Sequence, residues 1–314
     1  MGPRLDLSRL PSVRTLRPTD QAFVCGSSPP GPSSADDARP RLVRVTSTYV
    51  HGHHSSVLDS HGARTAANSA AYLLPHLRAG MRLLDLGCGP GTITLDLAGT
   101  VGTDGRVVGV DSAEAALDAA RRAAAERGDT TTVFQVGDAY ALPFEDDSFD
   151  VAHAHQVMQH LANPVAALRE LVRVVRPGGL VAFRDADYGS MSWHPGSDGL
   201  DRWLETYRRT ARLAGGEPDA ARHVLAWARA AGLTQIEPST STWSYATPDE
   251  RAWWGGQWVE RARHSAFATQ AVDAGLATAA DLEDFATAWA AWSQDPDAWF
   301  AMVHGEVVAR VPER

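Results

Sequence analysis

Residues 81–91 read MRLLDLGCGPG, a hydrophobic strand that runs directly into a glycine-rich turn. The apolar positions of the strand are Leu83, Leu84 and Leu86, and the glycines of the turn are Gly87, Gly89 and Gly91. Glycine removes the side chain where a backbone must bend sharply and a ligand must come close. A short amphipathic helix follows over residues 92–98, with its N-terminus directed at the ligand. This stretch therefore predicts a ligand site at the end of a buried strand.

The spacing of the glycines separates this turn from a dinucleotide-binding turn. A G-x-G-x-x-G fingerprint that starts at Gly87 needs glycine at position 92, where the chain has Thr92. Residues 85–91, DLGCGPG, instead resemble motif I of the class I S-adenosylmethionine-dependent methyltransferases, whose turn passes under the methionine end of a cationic cofactor. The resemblance implies that five residues of the stretch contact the cofactor: Asp85, Gly87, Cys88, Gly89 and Gly91.

Two further acids stand at the ends of the next apolar runs. Asp111, followed by Ser112, ends RVVGVD about 20 residues after the glycines, where a carboxylate can accept both hydroxyls of a ribose. Asp138, followed by Ala139, ends the next run, and the resemblance implies that it binds the adenine amino group. Taken singly, the two acids also suit a helix N-cap and a turn. Together with DLGCGPG they predict S-adenosyl-L-methionine as cofactor and S-adenosyl-L-homocysteine as product.

The middle of the chain alternates between strand and helix, which predicts an α/β, doubly wound parallel sheet. The predicted strands are 82–86, 106–110, 131–136, 149–154 and 180–185. The predicted helices are 92–99, 112–127, 155–161 and 164–175. Further helices are expected at 198–214 and 217–231, and a sixth strand at 233–246. The resemblance implies the Rossmann-like, seven-stranded class I methyltransferase sheet, whose last two strands are antiparallel.

The predicted domain organisation follows the composition along the chain. Residues 1–40 are rich in proline, serine and glycine and are expected to be a disordered tail. Residues 41–80 form an N-terminal helical cap, with one helix at 63–77. Residues 81–247 form the cofactor-binding core, with a helical insertion near 188–216. Residues 248–295 form a helical lid insertion, and residues 296–314 supply the final strand. Cap and lid are expected to close over the cofactor.

Composition excludes several classes of partner. The net charge of −9 argues against nucleic acid, and no apolar run is long enough to span a membrane. The N-terminus lacks a continuous apolar signal region, so a cytoplasmic enzyme, monomer or homodimer, is expected. The two cysteines, Cys25 and Cys88, do not suggest a disulfide.

The segment before the glycine turn contains histidines at 51, 53, 54, 61 and 76. No cysteine or paired acid accompanies them at the usual ligand spacing, so no metal site is predicted. The segment resembles the N-terminal cover of ubiquinone/menaquinone-type methyltransferases. That resemblance implies that Arg64 pairs with the methionine carboxylate of the cofactor and that Tyr49 lies over its sulfonium end. The alternative for Arg64 is a solvated helix charge.

An enzyme promotes methyl transfer mainly by positioning the acceptor against the methyl group. It needs a base only where the acceptor must lose a proton. Because ligands bind at the carboxyl ends of parallel strands, the candidates after the fourth strand are His155, Gln156, Gln159 and His160. Asp185 and Asp187 follow the fifth strand. His155 is the first choice for a base, with turnover rising through its pKa, and Gln159 is expected on the same helical face. His160 could instead simply pack beneath the cofactor.

The sequence therefore predicts a methyltransferase that acts on a small molecule, of the kind found in secondary metabolism, with oxygen, nitrogen and carbon acceptors all open. Five tryptophans could line an aromatic acceptor pocket, although tryptophans at helical spacing more often form a core: Trp193, Trp243, Trp253, Trp254 and Trp258. One alternative is a protein that binds the cofactor without methyl transfer, as a lyase, a cyclase or a regulatory module. An NAD enzyme is the third interpretation.

Overall fold

The computed structural model describes residues 64–313, so the predictions for Tyr49 and for the tail lie outside the described residues. This part of the chain contains one eight-stranded sheet. The strands are β1 (Arg82–Leu86), β2 (Arg106–Asp111), β3 (Thr132–Val136), β4 (Phe149–His155), β5 (Val175–Ala186), β6 (Ser192–His194), β7 (Thr234–Tyr245) and β8 (Trp299–Arg310).

The order of the strands is that of a doubly wound sheet with an antiparallel edge. β3, β2, β1, β4 and β5 lie side by side and parallel. β8 runs antiparallel to β5 on one side and to β7 on the other. The predicted fold class and the predicted antiparallel pair are confirmed. The short strand β6 is an addition, and it pairs with the start of β8.

Nine α-helices connect these strands in the described residues. They are α1 (Ala66–Ser69), α2 (Thr92–Val101), α3 (Glu114–Arg127), α4 (Pro164–Val174), α5 (Asp198–Leu213), α6 (Val224–Ala230), α7 (Pro248–His264), α8 (Ala266–Asp273) and α9 (Ala279–Gln294). None of the helices between residues 64 and 313 is long and apolar enough to cross a membrane.

Two predicted helices are wrong. The helix expected at 63–77 is reduced to α1 and a 3-10 turn at Leu74–His76, where Pro75 has no backbone N–H to donate. The helix expected at 155–161 does not form, because β4 continues through His155 and pairs with Arg184. The next residue, Gln156, has φ +53°, which interrupts any helix, and only a 3-10 turn at Met158–His160 follows.

Apolar side chains cover both faces of the sheet and form a further core beside it. On one face, α2 and the α1 segment bury residues such as Leu73, Ile93 and Leu97 against Leu83 and Val151. On the other face, α4 and α6 cover the same strands. The helices α5, α7, α8 and α9 pack around a separate aromatic core whose largest members are Trp203, Trp258 and Trp289. Trp254 and Trp258 are buried in this core, so they do not line an open acceptor pocket.

Candidate active site

The glycine turn has a backbone that only glycine tolerates. Gly87 has φ +68°, and a Cβ at this position would lie 2.3 Å from Cγ2 of Val157. Gly91 has φ +79°, and its Cβ would lie 2.9 Å from Cβ of Ala120. The backbone N–H of Gly87 donates to the carbonyl oxygen of Val110 at 2.7 Å, which folds the turn against β2. The turn is thus a side-chain-free cradle at the carboxyl end of β1.

Cys88 lies inside this turn and is buried. Burial, with the carboxylates of Asp85 and Asp111 nearby, raises the pKa of its thiol well above the ordinary value. Cys88 is therefore a neutral packing residue of the turn. It packs with Leu117 and Phe134, which join the turn to α3 and β3.

Asp111 stands at the end of β2, beside the turn. Its Oδ2 accepts the N–H of Gly89 at 3.0 Å, and its Oδ1 accepts the N–H of Ala113 at 3.0 Å. A carboxylate oxygen can accept two hydrogen bonds, so each oxygen retains capacity for a ribose hydroxyl. Ser112, the next residue, is exposed.

Asp138 follows β3 at the same edge of the sheet and is exposed, with its Oδ1 accepting the N–H of Tyr140 at 2.9 Å. The neighbouring Ala139 is half-buried. The carboxyl ends of β1, β2 and β3 therefore present a glycine cradle and two carboxylates along one edge. This arrangement suits an adenosine that carries a short charged chain.

Asp85 lies beneath the glycine turn. Its Oδ2 accepts the hydroxyl of Thr94 at 2.5 Å, its Oδ1 lies 2.7 Å from Nδ1 of His153, and the residue is only 3% exposed. The contact of this carboxylate with the cofactor stays a prediction. Asp85 supports the turn from beneath, by fastening β1 to α2 and β4.

A second group of polar side chains lies on one face of the sheet beyond the turn. Strand residues alternate between faces, so every second residue of β1, β4, β5 and β8 points the same way. We call this group the polar face; its members are Asp85, His153, His155, Arg184, His304 and Glu306. All six are buried. Asp185, next to Arg184, consequently points to the opposite face, where burial raises its pKa to about 8.

Two histidines of the polar face, His155 and His304, are neutral. Burial, with Arg184 and Arg64 nearby, lowers the pKa of His155 well below the ordinary range, and the same causes lower the pKa of His304. Both ring nitrogens of His155 are buried without a hydrogen-bond partner among the described residues. Buried polar atoms are normally paired, so His155 is a candidate contact for a ligand.

Gln159 and His160 are held within the protein. The Oε1 of Gln159 accepts the N–H of Ala186 at 3.0 Å, and its Nε2 lies 3.0 Å from Nε2 of His160. Burial lowers the pKa of His160 to about 3. These side chains fasten the loop after β4 to the end of β5. Because no helix forms there, Gln159 and His155 do not share a helical face. A catalytic role for Gln159 and His160 stays a prediction.

The segment of residues 64–77 lies on the polar face. Arg64 Nη2 donates to Oε1 of Gln156 at 2.8 Å, and its guanidinium carbon lies 5.5 Å from the ring centre of Trp243. The indole N–H of Trp243 donates to the carbonyl oxygen of Asn68 at 3.3 Å. Arg64 is thus not a solvated helix charge, and its pairing with the cofactor carboxylate stays a prediction. The closing of this segment over the cofactor also stays a prediction.

Sequence reasoning missed three residues of this region: His153, Arg184 and His304. The H-A-H alternation at 153–155 was a usable signal, because it places both histidines on one face of β4. Nothing local could pair Arg184 with Glu306, since these residues meet only through the β5–β8 register.

Comparison with known proteins identifies the family. Residues 77–232 match the family model of a methyltransferase domain. Over 84% of its length the chain is 34% identical to a Schizosaccharomyces pombe protein named an uncharacterized methyltransferase, and it covers 97% of that protein. The chain belongs to the S-adenosylmethionine-dependent methyltransferases.

Two further similarities extend this result. The methyltransferase is 34% identical over 176 residues to 27-O-demethylrifamycin SV methyltransferase of Amycolatopsis mediterranei, covering 51% of this chain and 62% of the relative. Its fold resembles that of phosphoethanolamine N-methyltransferase 2 of Haemonchus contortus, solved with S-adenosylhomocysteine, with a TM-score of 0.50 and 18% identity. That similarity covers 78% of this chain and 52% of the other, and it concerns the fold. The cofactor of this methyltransferase is S-adenosylmethionine, and the glycine cradle fits its methionine chain.

Proposed function

We propose that this methyltransferase methylates a small organic molecule bound on the polar face of its sheet. The observation that carries the proposal is the position of His155. This residue ends β4, immediately beside the glycine turn that ends β1, and its imidazole is buried without a partner among residues 64–313. A ligand is the simplest source of the missing hydrogen bonds.

The chain holds the cofactor through groups at the ends of the first three strands. We assign the ribose hydroxyls to Asp111, the adenine amino group to Asp138, and the methionine carboxylate to Arg64. Ser112 and Ala139 flank the two carboxylates, and the turn of Gly87, Gly89 and Gly91 receives the methionine chain. When bound, S-adenosylmethionine supplies a methyl group on a positively charged sulfur.

The polar face then orients the acceptor. The buried, neutral His155 and His304 and the guanidinium of Arg184 provide directional hydrogen bonds in a site from which water is excluded. Positioning of this kind supplies most of the rate enhancement in a displacement reaction. The low pKa of His155 makes it a weak proton acceptor. We therefore place His155 in contact with the reacting group of the acceptor as a hydrogen-bonding residue.

Relatives support a small organic acceptor. The names of two of them refer to a demethylated rifamycin and to a phytyl naphthoquinone. The contrasting function is cofactor binding without methyl transfer, in a lyase, a cyclase or a regulatory protein.

Labelled cofactor distinguishes these two functions. The protein is incubated with S-adenosylmethionine that carries a labelled methyl group and with a metabolite extract, and products are separated by mass. A methyltransferase yields a labelled small molecule and an equal amount of S-adenosylhomocysteine. The Asp111→Ala variant is the control, because it retains the polar face and loses cofactor affinity. Tight cofactor binding with no labelled product from any extract would favour the contrasting function.

A further inference from the structure

The orientation of Gln156 determines the tautomer of His304. Arg64 is only a donor, so the atom of Gln156 that it contacts at 2.8 Å is the amide oxygen. The amide nitrogen of Gln156 therefore faces Nε2 of His304, 2.9 Å away, and donates to it. Because His304 is neutral, its single ring proton is on Nδ1. This Nδ1–H is buried and makes no hydrogen bond of ordinary geometry within the described part of the chain, although the backbone of Met302 lies beside the ring and raises its pKa.

Arg184 presents a second unmatched donor. Its Nε donates to Oε1 of Glu306 at 3.2 Å and also lies 3.1 Å from the hydroxyl of Ser241, while its Nη2 donates to the same hydroxyl at 3.0 Å. Its Nη1 is buried and unpartnered among residues 64–313. Arg184 pairs with Glu306 across the β5–β8 ladder, and His304 stands two residues before Glu306 on the same face.

The two donors border the same indole. The guanidinium carbon of Arg184 lies 5.0 Å from the ring centre of Trp243, and the ring centre of His304 lies 4.4 Å from it. His155 is on the other side of Arg184, opposite it in the β4–β5 ladder. Two buried N–H groups thus border one place, and oxygen acceptors of a bound molecule would satisfy both.

The guanidinium of Arg184 favours an anion at this place. Its partner carboxylate, Glu306, already accepts the hydroxyls of Ser239 and Ser241. The other carboxylate of the polar face, Asp85, is held by Thr94 and His153. His155 and His304 carry no charge, and burial raises the pKa of Tyr72, so that its phenol stays neutral as well. A charge-assisted hydrogen bond from a buried guanidinium is stronger when the acceptor oxygen is negative.

We propose that the acceptor of this methyltransferase is an acidic enol or phenol conjugated with a carbonyl group, bound as its anion beside Trp243. Nη1 of Arg184 and Nδ1–H of His304 donate to its oxygens. The anion supplies the electron pair of the new bond to the methyl carbon, and the pair of the breaking carbon–sulfur bond passes to sulfur. The proton of the acceptor is lost to solvent before binding, so no strong base is needed. This inference rests on the proposed methyl transfer.

The test uses 4-hydroxycoumarin, an acidic enol conjugated with a carbonyl, and coumarin, which lacks the hydroxyl. Each is titrated calorimetrically into the full-length protein saturated with S-adenosylhomocysteine. We expect 4-hydroxycoumarin to bind and coumarin to bind about ten- to a hundredfold more weakly, as for the loss of a hydrogen bond to a charged group. His304→Phe should weaken the binding of 4-hydroxycoumarin to a similar degree without changing the affinity for S-adenosylhomocysteine.

Three further variants complete the test. His304→Asn retains a donor near the position of Nδ1 and should recover most of the affinity, whereas His223→Phe, an exposed histidine beside Trp227, should change nothing. The double variant Arg184→Met with Glu306→Gln removes both buried charges together. It should weaken the binding of 4-hydroxycoumarin by about as much as His304→Phe does. Equal binding of the two coumarins, or none, with normal binding of S-adenosylhomocysteine would overturn the acceptor class alone. A failure to bind S-adenosylhomocysteine would count against the proposed function instead.

Discussion

Oδ1 of Asp85 lies 2.7 Å from Nδ1 of His153, and this contact fastens the carboxyl end of β1 to β4 directly beneath the glycine turn. Both side chains are buried, and the second oxygen of Asp85 accepts the hydroxyl of Thr94 on α2. One carboxylate thus connects two strands and the helix that follows the turn. The motif acid of the turn has a structural role here, and the turn depends on it.

Substitution of Asp85 or His153 should destabilise the protein, and the effects of the two substitutions should not be additive. Asp85→Asn and His153→Gln should each lower the free energy of unfolding by about 1.5 to 3 kcal/mol, because each removes a buried charge-assisted hydrogen bond. The double variant should cost less than the two single variants together, by about 1 kcal/mol or more. Denaturant unfolding of the four proteins measures this coupling, and simple additivity would contradict it. Asp118→Asn, an exposed acid on α3, is the control.

Asp111 should control the affinity for the cofactor. Asp111→Ala removes the acceptors for the ribose hydroxyls, so the dissociation constant of S-adenosylhomocysteine should rise about ten- to a hundredfold in a calorimetric titration. Asp118→Ala removes a neighbouring negative charge whose side chain is 56% exposed and should leave the affinity unchanged. A folded Asp111→Ala protein with normal affinity would refute the assignment of this carboxylate.

Two glycines should respond in opposite ways to the same substitution. Gly87→Ala places a methyl group 2.3 Å from Val157 in a backbone of φ +68°, and we expect a loss of about 2 kcal/mol or more of unfolding free energy, together with loss of cofactor binding. Gly99, in α2, has nothing within 4 Å of its Cβ position, so Gly99→Ala should be neutral or stabilising by up to about 1 kcal/mol. Thermal unfolding with and without S-adenosylhomocysteine measures both. A Gly87→Ala protein of normal stability would contradict the geometry of the turn.

His155 should not titrate near neutral pH. Burial lowers its pKa well below the ordinary value, so the imidazole is already neutral at pH 6. Turnover should therefore be flat between about pH 6 and 8, where the sequence predicts a rise. His155→Gln, which retains a hydrogen-bonding side chain, should keep most of the turnover, and His155→Ala should lose more. A fall of about 10²- to 10⁴-fold in His155→Gln would instead identify His155 as a general base.

Asp185 should make stability depend on pH. Its pKa is about 8 in the folded protein, against an ordinary value of 3.8, so the folded state holds the proton more tightly than the unfolded state. Its stabilising contribution is complete below about pH 4 and is lost as the pH rises toward 8, at up to about 1.4 kcal/mol per pH unit. Asp185→Asn keeps an oxygen for the N–H of Gln159 and should remove this slope. Urea unfolding at several pH values compares the two proteins, and parallel curves would contradict the raised pKa.

The family and the cofactor could be predicted from local features of the chain. These features are the leucines of β1, the glycines of the turn and the acids that end β2 and β3. Each of them can be recognised from its immediate neighbours in the sequence. A glycine is needed where the backbone adopts positive φ, and a strand of alternating or continuous apolar residues is buried wherever it lies. Their spacing in sequence was therefore enough to predict that they lie along one edge of a parallel sheet.

The role of individual polar residues could not be predicted in this way. Asp85 matches the motif, yet only the packing of β1 against β4 shows that His153 and Thr94 occupy its oxygens. The expected helix after the fourth strand failed for a similar reason. His155 is held in the sheet by its pairing with Arg184, and this long-range contact outweighed the helical pattern of the residues that follow.

The sequence by itself thus determined the fold class, the glycine turn and the acids around it, because these follow from backbone conformation and from the period of apolar residues. Only the tertiary structure decided which polar side chains face one another. Arg184, His304 and His155 are brought together by the registers of β4, β5 and β8, and a shift of one residue in any register would turn its side chain to the other face. The burial that keeps these histidines neutral likewise arises only when the strands, the helices and the segment of residues 64–77 are packed together.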